Sequence, residues 1–208
     1  MAEHESGLLS ARGYRAAAVR CGLKTAEGKL DLAIIFSDYP AEAAGAFTTN
    51  RFRAAPVLVS RKRIKRRGLR GIVVNAGNAN ACTGPKGLKD AEAMADAAAV
   101  SCGAPKGSFL VASTGIIGHP LPMDKIMAGI KDASAKLSSE LDAGHLAAEA
   151  IMTTDTRPKE TCAIIRFPGG ASAAIGGICK GAGMIAPRMA TMLCFLVTDA
   201  KVERSLLQ

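Results

Sequence analysis

Tryptophan is absent from the 208 residues, and only two tyrosines and six phenylalanines occur, so the chain offers few flat rings on which nucleobases could stack. It also lacks a helix-turn-helix or RNA-recognition signature. The six cysteines, at 21, 82, 102, 162, 179 and 194, show neither Cys-x-x-Cys spacing nor histidine partners at zinc-site intervals. They read as reduced, mostly buried thiols, with Cys179 and Cys194 packing as small hydrophobes. No apolar run is long enough to cross a bilayer, and Met1-Ala-Glu-His-Glu-Ser does not have the basic and then apolar layout of a signal peptide. A soluble, cytoplasmic protein with no membrane partner is expected, and no internal repeat or low-complexity linker divides it.

What is present is a sizeable apolar fraction, 49% of residues, and a net charge of +9. The first is enough for a buried core. The second is local: Arg61-Lys-Arg-Ile-Lys-Arg-Arg-Gly-Leu-Arg70 holds seven basic residues and no acidic one, and without them the net charge falls from +9 to +2. With no aromatic interleaving, the run reads as a solvated, helical surface segment between two strands rather than a nucleic-acid site. Short apolar or β-branched stretches predict strands over 32–36, 46–49, 56–60, 71–75, 109–113, 162–167, 171–175 and 192–197. Helical spacing of Ala, Lys, Glu and Met predicts helices over 88–102, 123–137 and 146–152. The fold class is therefore mixed α/β.

Chemistry concentrates near Ala190-Thr191. A threonine hydroxyl is a weak nucleophile, but an N-terminal threonine carries its own base in the α-amine. Ala190 offers an unhindered carbonyl, and Gly177, Gly181 and Gly183 around Lys180 permit unusual backbone angles and close approach. The apolar stretch after Thr191 reads as a strand with threonine at its head. Composition alone is equally served by an ordinary loop before a core strand. Ser113-Thr-Gly115 is by itself a turn, Thr153-Thr-Asp155 a helix-ending turn, and Lys180 a loop lysine. Asn75-Ala-Gly-Asn-Ala-Asn-Ala-Cys-Thr-Gly84 lacks phosphate-loop spacing; its asparagines are expected to bind turn backbone and shape a pocket floor, with no catalytic role.

Lys180-Gly-Ala-Gly-Met-Ile-Ala-Pro-Arg-Met-Ala-Thr-Met-Leu193 resembles the self-processing signature of the ornithine acetyltransferase family, the glutamate N-acetyltransferases of arginine biosynthesis. Four further blocks resemble the same family in the same order. They are Phe47-Thr-Thr-Asn-Arg51 with Ala54-Ala-Pro-Val57, Val73 to Gly84, Ala112-Ser-Thr-Gly-Ile-Ile-Gly118 with Leu121-Pro-Met-Asp124, and Ala148 to Thr156 with Pro158-Lys159.

The resemblance implies an αββα layered sandwich, shared with the DmpA-type self-cleaving peptidases and here represented by its N-terminal half. It implies self-cleavage between Ala190 and Thr191, with residues 1–190 as an α-chain domain and 191–208 as the start of a β chain. Thr191 would be the nucleophile, Thr114 and Gly115 the oxyanion hole, and Thr153, Thr154, Lys180 and Thr191 the substrate contacts. Acetyl would pass from N-acetylornithine to glutamate through an acetyl-threonine, with no metal or organic cofactor and with acetyl-CoA as a possible alternative donor. Family members continue for about as many residues again after the nucleophile, so the rest of a β chain is an expected partner, in an α2β2 assembly. A DmpA-like aminopeptidase or amidohydrolase using water as acceptor, or an inactive truncated remnant, are the alternatives.

Overall fold

The computed structural model describes residues 7–181 and 192–208. A single 3-10 turn at Leu8–Ser10 precedes β1 (Tyr14–Val19) and β2 (Leu32–Ala41), which are followed by α1 (Ala55–Arg63), β3 (Leu69–Asn78), α2 (Gly84–Ser101) and β4 (Phe109–Ile116). Next come α3 (Met123–Ala135), α4 (Leu141–Ala150), β5 (Lys159–Arg166), β6 (Ser172–Lys180), β7 (Leu193–Thr198) and α5 (Arg204–Leu207). Strands β1 to β4 form sheet A in that order, antiparallel until α2 crosses over to make β3 and β4 parallel; β5, β6 and β7 form the antiparallel sheet B.

Alternation along β2 explains the layering. Leu32, Ile34 and Phe36 face one way into a core shared with Val73, Phe109 and Val111, against Met94 of α2 and Ile126 and Ile130 of α3. Ala33 and Ile35 face the other way, toward Leu8, Ala147 and Ala148 of α4, and Ile178 of β6. Side chains two residues apart share a face, so one strand supplies both cores. Sheet A thus has helices α1 to α3 on one side and sheet B with α4 on the other. This is the mixed α/β sandwich that the sequence led us to expect. Where β6 meets the 3-10 turn the backbones nearly touch: a Cβ added at Gly176 would lie 2.1 Å from the Leu8 carbonyl oxygen.

Two predicted strands are not strands. Residues 46–49 carry no regular structure, and 56–60 lie inside α1. Pro56 falls in the first turn of that helix, where its missing N–H costs nothing. The helix buries Ala55, Pro56, Val59, Ser60 and Arg63, a helical spacing that short β-branched runs disguise. Strand β1, alanine-rich and without a clear period, went unpredicted, and α4 begins five residues before the predicted 146.

The basic run is also less solvated than its composition suggests, and it follows a helix rather than a strand. Arg63 is buried, pairs with Asp96 at 2.8 Å, and donates to the carbonyls of Phe109 and Glu92. Arg70 lies in β3, donates to the carbonyls of Ser37 and Asp38, and sits over the Phe36 ring at 4.9 Å. The other five are exposed. None of the cysteines is fully buried: Cys82 and Cys194 are exposed and the rest are intermediate. Cys194 stands directly opposite Cys179 in the β6–β7 register. Among the described residues no helix is long and apolar enough to cross a membrane.

Candidate functional site

The parallel pair β3–β4 ends at a cleft of about 1700 Å3 whose walls include Thr114 and Gly115 of β4, Thr153 and Thr154 after α4, and Lys180 at the end of β6. Ligand crevices commonly form at such strand ends, where the backbone has run out of sheet partners.

Lys180 is the last residue of a strand rather than a loop residue, and it is buried, 4% exposed. Its ammonium donates to Thr114 Oγ1 at 3.1 Å and to Thr153 Oγ1 at 2.7 Å. The three residues come from sheet A, the turn after α4 and sheet B, separated by 66 and 27 positions in sequence. Burial pushes the Lys180 amine below the usual lysine range; the Asp155 carboxylate opposes this and the Lys159 ammonium adds to it. Thr154 also lines the cleft.

Gly115 occupies a position only glycine tolerates. Its φ is +131°, and a Cβ there would lie 2.3 Å from the carbonyl carbon of Gly77, its register partner on β3. The close approach places bare backbone in the cleft wall beside Thr114. The predicted scissile bond and nucleophile, Ala190-Thr191, lie outside the described residues. Of the predicted set the structure therefore brings together Thr114, Gly115, Thr153, Thr154 and Lys180.

The asparagine-rich segment acts as the sequence suggested. Asn75 Nδ2 donates to the Asn78 carbonyl, Asn78 Nδ2 to the carbonyls of His119 and Pro120, and Asn80 Nδ2 to that of Gly87. These bonds hold the turn between β3 and α2, and Gly77, Ala79 and Ala81 from it line the cleft.

Three supporting residues were not foreseen. Asp31, fully buried, accepts the N–H groups of Cys21, Gly22, Leu23 and Lys24, which hold its carboxyl below the usual range although burial alone would raise it. Burial first, and then the Asp31 carboxylate, push the Cys21 thiol up to about 12, so it stays protonated. Lys24 donates to the carbonyls of Leu30 and of Ala150, at the end of α4. Asp155 accepts from Lys159 Nζ and from the Gly181 N–H. A lone aspartate carries no sequence signal for such roles; only the fold reveals the N–H groups around it.

Residues 15–208 match the ArgJ family. The chain is 47% identical over 205 residues to the arginine biosynthesis bifunctional protein ArgJ of Mycolicibacterium paratuberculosis, covering 96% of this chain and 50% of that one. It is 50% identical over 196 residues to the protein of the same name from Geobacter sulfurreducens, covering 94% and 49%. It spans about half the length of these curated relatives. Among solved structures it is similar to the arginine biosynthesis bifunctional protein ArgJ of Bacillus halodurans, with a TM-score of 0.82, 37% identity, and coverage of 90% of this chain and 95% of that one. It is also similar to ornithine acetyltransferase of Mycobacterium tuberculosis complexed with ornithine, with a TM-score of 0.79, 39% identity, and coverage of 90% and 96%.

Proposed function

Because the chain belongs to the ArgJ family, we propose that it forms the α-chain part of a glutamate N-acetyltransferase and ends with the opening of the β chain, self-cleavage falling between Ala190 and Thr191. The observation that carries this reading is the Lys180 ammonium held between the hydroxyls of Thr114 and Thr153. A hydroxyl has one donor and two acceptor positions. By accepting from Lys180, Thr114 keeps its own O–H to donate, which is what an oxyanion needs from it. A preorganised donor of this kind contributes roughly 3 kcal/mol to a barrier.

In the proposed sequence Thr191 Oγ attacks the Ala190 carbonyl carbon, the C–N bond breaks, and the nitrogen leaves as the α-amine of Thr191. Water hydrolyses the resulting ester and frees the hydroxyl. Thr191 then attacks the acetyl group of N-acetylornithine, releasing ornithine with the amine proton restored, and the acetyl passes from Oγ to the amine of glutamate. Lys180 faces the α-carboxylate of the amino-acid substrate, with Thr153 and Thr154 beside it. No metal or organic cofactor enters these steps, and acetyl-CoA is a further donor to be tested. The division into two chains is supported by the relatives: this chain covers about half of the curated proteins but nearly all of each solved chain. The remaining β chain is the proposed partner, in an α2β2 assembly.

The test is to produce the chain together with a C-terminal segment of the length its relatives carry, and to follow the masses. Cleavage at Ala190-Thr191, abolished in Thr191→Ala, followed by formation of N-acetylglutamate from N-acetylornithine and glutamate, is the expected result. An intact chain sinks the self-cleavage; free acetate without N-acetylglutamate replaces the transferase with a hydrolase.

A further inference from the structure

The group that organises the cleft is one the proposed reaction does not use. The Asp155 side chain is only 3% exposed. Its Oδ1 accepts from Lys159 Nζ at 2.5 Å and from the Gly181 N–H at 2.9 Å, and its Oδ2 meets the Thr153 N–H at 3.5 Å. Three segments converge there: the turn after α4, the head of β5 and the exit of β6. Gly181 directly follows Lys180, so the bond to its N–H fixes the backbone that carries the lysine and the direction in which the chain leaves the strand. Thr153, one of the two hydroxyls Lys180 reaches, is held from the same carboxylate.

Resting on the reading above, we propose that Asp155 is a positioning residue that gathers Thr153, Lys159 and Gly181 so as to set where the Lys180 ammonium lies and how the chain enters the predicted scissile segment. A bridge serving only the stability of the turn would leave the chemistry of Lys180 untouched. Asp155 as placed acts on it directly. Among the described residues the charges facing Lys180 are Lys24, which reaches the end of α4, Asp155 from the turn, and Lys159 from β5. Asp155 is ionised at any neutral pH: burial would raise it, but the Gly181 N–H, Lys159 and the Thr153 N–H hold it at about 2. Removing its charge must therefore lower the midpoint of Lys180, and removing the charge of Lys159 must raise it.

Competitive labelling with trace acetic anhydride between about pH 7 and 11, with each lysine followed by peptide mass spectrometry, reads these midpoints on the chain itself. Asp155→Asn is expected to lower the Lys180 midpoint by about one unit, seen as roughly tenfold more labelling well below it. Lys159→Met is expected to raise it. Asp155→Glu keeps the charge and alters the reach, so the midpoint stays while self-cleavage, measured with the companion segment present, slows by about tenfold or more. Circular dichroism establishes whether each variant folds; if Asp155→Asn does not, Lys159→Met decides alone. An unchanged Lys180 midpoint in the folded variants overturns the positioning role even if the parent chain cleaves itself. A parent chain that never cleaves while the midpoints move as stated overturns the reaction and leaves the positioning role standing.

Discussion

Sheet A is covered on both faces, and its long strand β2 is buried from Leu32 to Ser37. Sheet B is covered on one: Ile178 of β6 is buried while Ile164 and Leu196, on its two outer strands, are 58% and 66% exposed. The first sheet can hold itself together by apolar burial alone. The second depends on its joint, where the 3-10 turn meets β6 and where Asp199 accepts the N–H groups of Arg12 and Ala174. The candidate site takes Thr114 from the first and Lys180 from the second, so its geometry is only as firm as that joint.

The largest effect expected from this contrast is in stability. Phe109, fully buried and stacked on Phe36 with ring centroids 6.1 Å apart, should cost about 3–5 kcal/mol when changed to Ala. Leu196→Ala should stay within about 0.5 kcal/mol. Urea denaturation measures both, and similar losses would erase the distinction between the sheets.

A smaller effect tests the joint. Gly176→Val places side-chain atoms where the Leu8 carbonyl now lies, and should loosen sheet B by about 2 kcal/mol. Hydrogen exchange in β5 to β7 should then quicken by about thirtyfold with β2 and β3 unchanged. Equal quickening in both sheets would mean that they open as one unit.

The smallest effect is expected in acid. Burial would raise Asp155 and Asp199, but their N–H partners, and Lys159 for Asp155, hold both below the ordinary aspartate value. A carboxyl depressed in the folded state lends its stability in full above the unfolded value near 4 and loses it as pH falls through the folded value. Protection in sheet B should therefore fade between about pH 4 and pH 2. Asp31 behaves likewise in sheet A, but its sheet retains both apolar cores, so it should fade later; the reverse order would contradict the contrast.

Most of the sheet strands were legible because alternation and β-branching report burial on a pleated surface, as in 32–36 and 109–113. Strand β1 was not, since Ala16, Ala17 and Ala18 give no period. Helix α1 was hidden because Val57 and Val59 favour strands locally, and Pro56 settles the matter only once it is seen in a first turn. In the site, Thr114, Gly115, Thr153, Thr154 and Lys180 were legible through family resemblance rather than through chemistry. Asp155 and Asp31 were not, because their partners are mainly backbone N–H groups, which look alike in every sequence.

The bond from the Arg12 N–H to Asp199 spans 187 residues, and Tyr14 reaches the Thr198 carbonyl across 184. At roughly 5–20 residues per second of translation, the start of the chain waits on the order of ten to forty seconds on the ribosome for the partners that finish it. Sheet A has all its strands once residue 116 has been made; the docking of β7 comes last. Any chemistry in the segment between β6 and β7 that needs both sheets in place is thereby scheduled after synthesis has passed it, a delay built into the order of the codons.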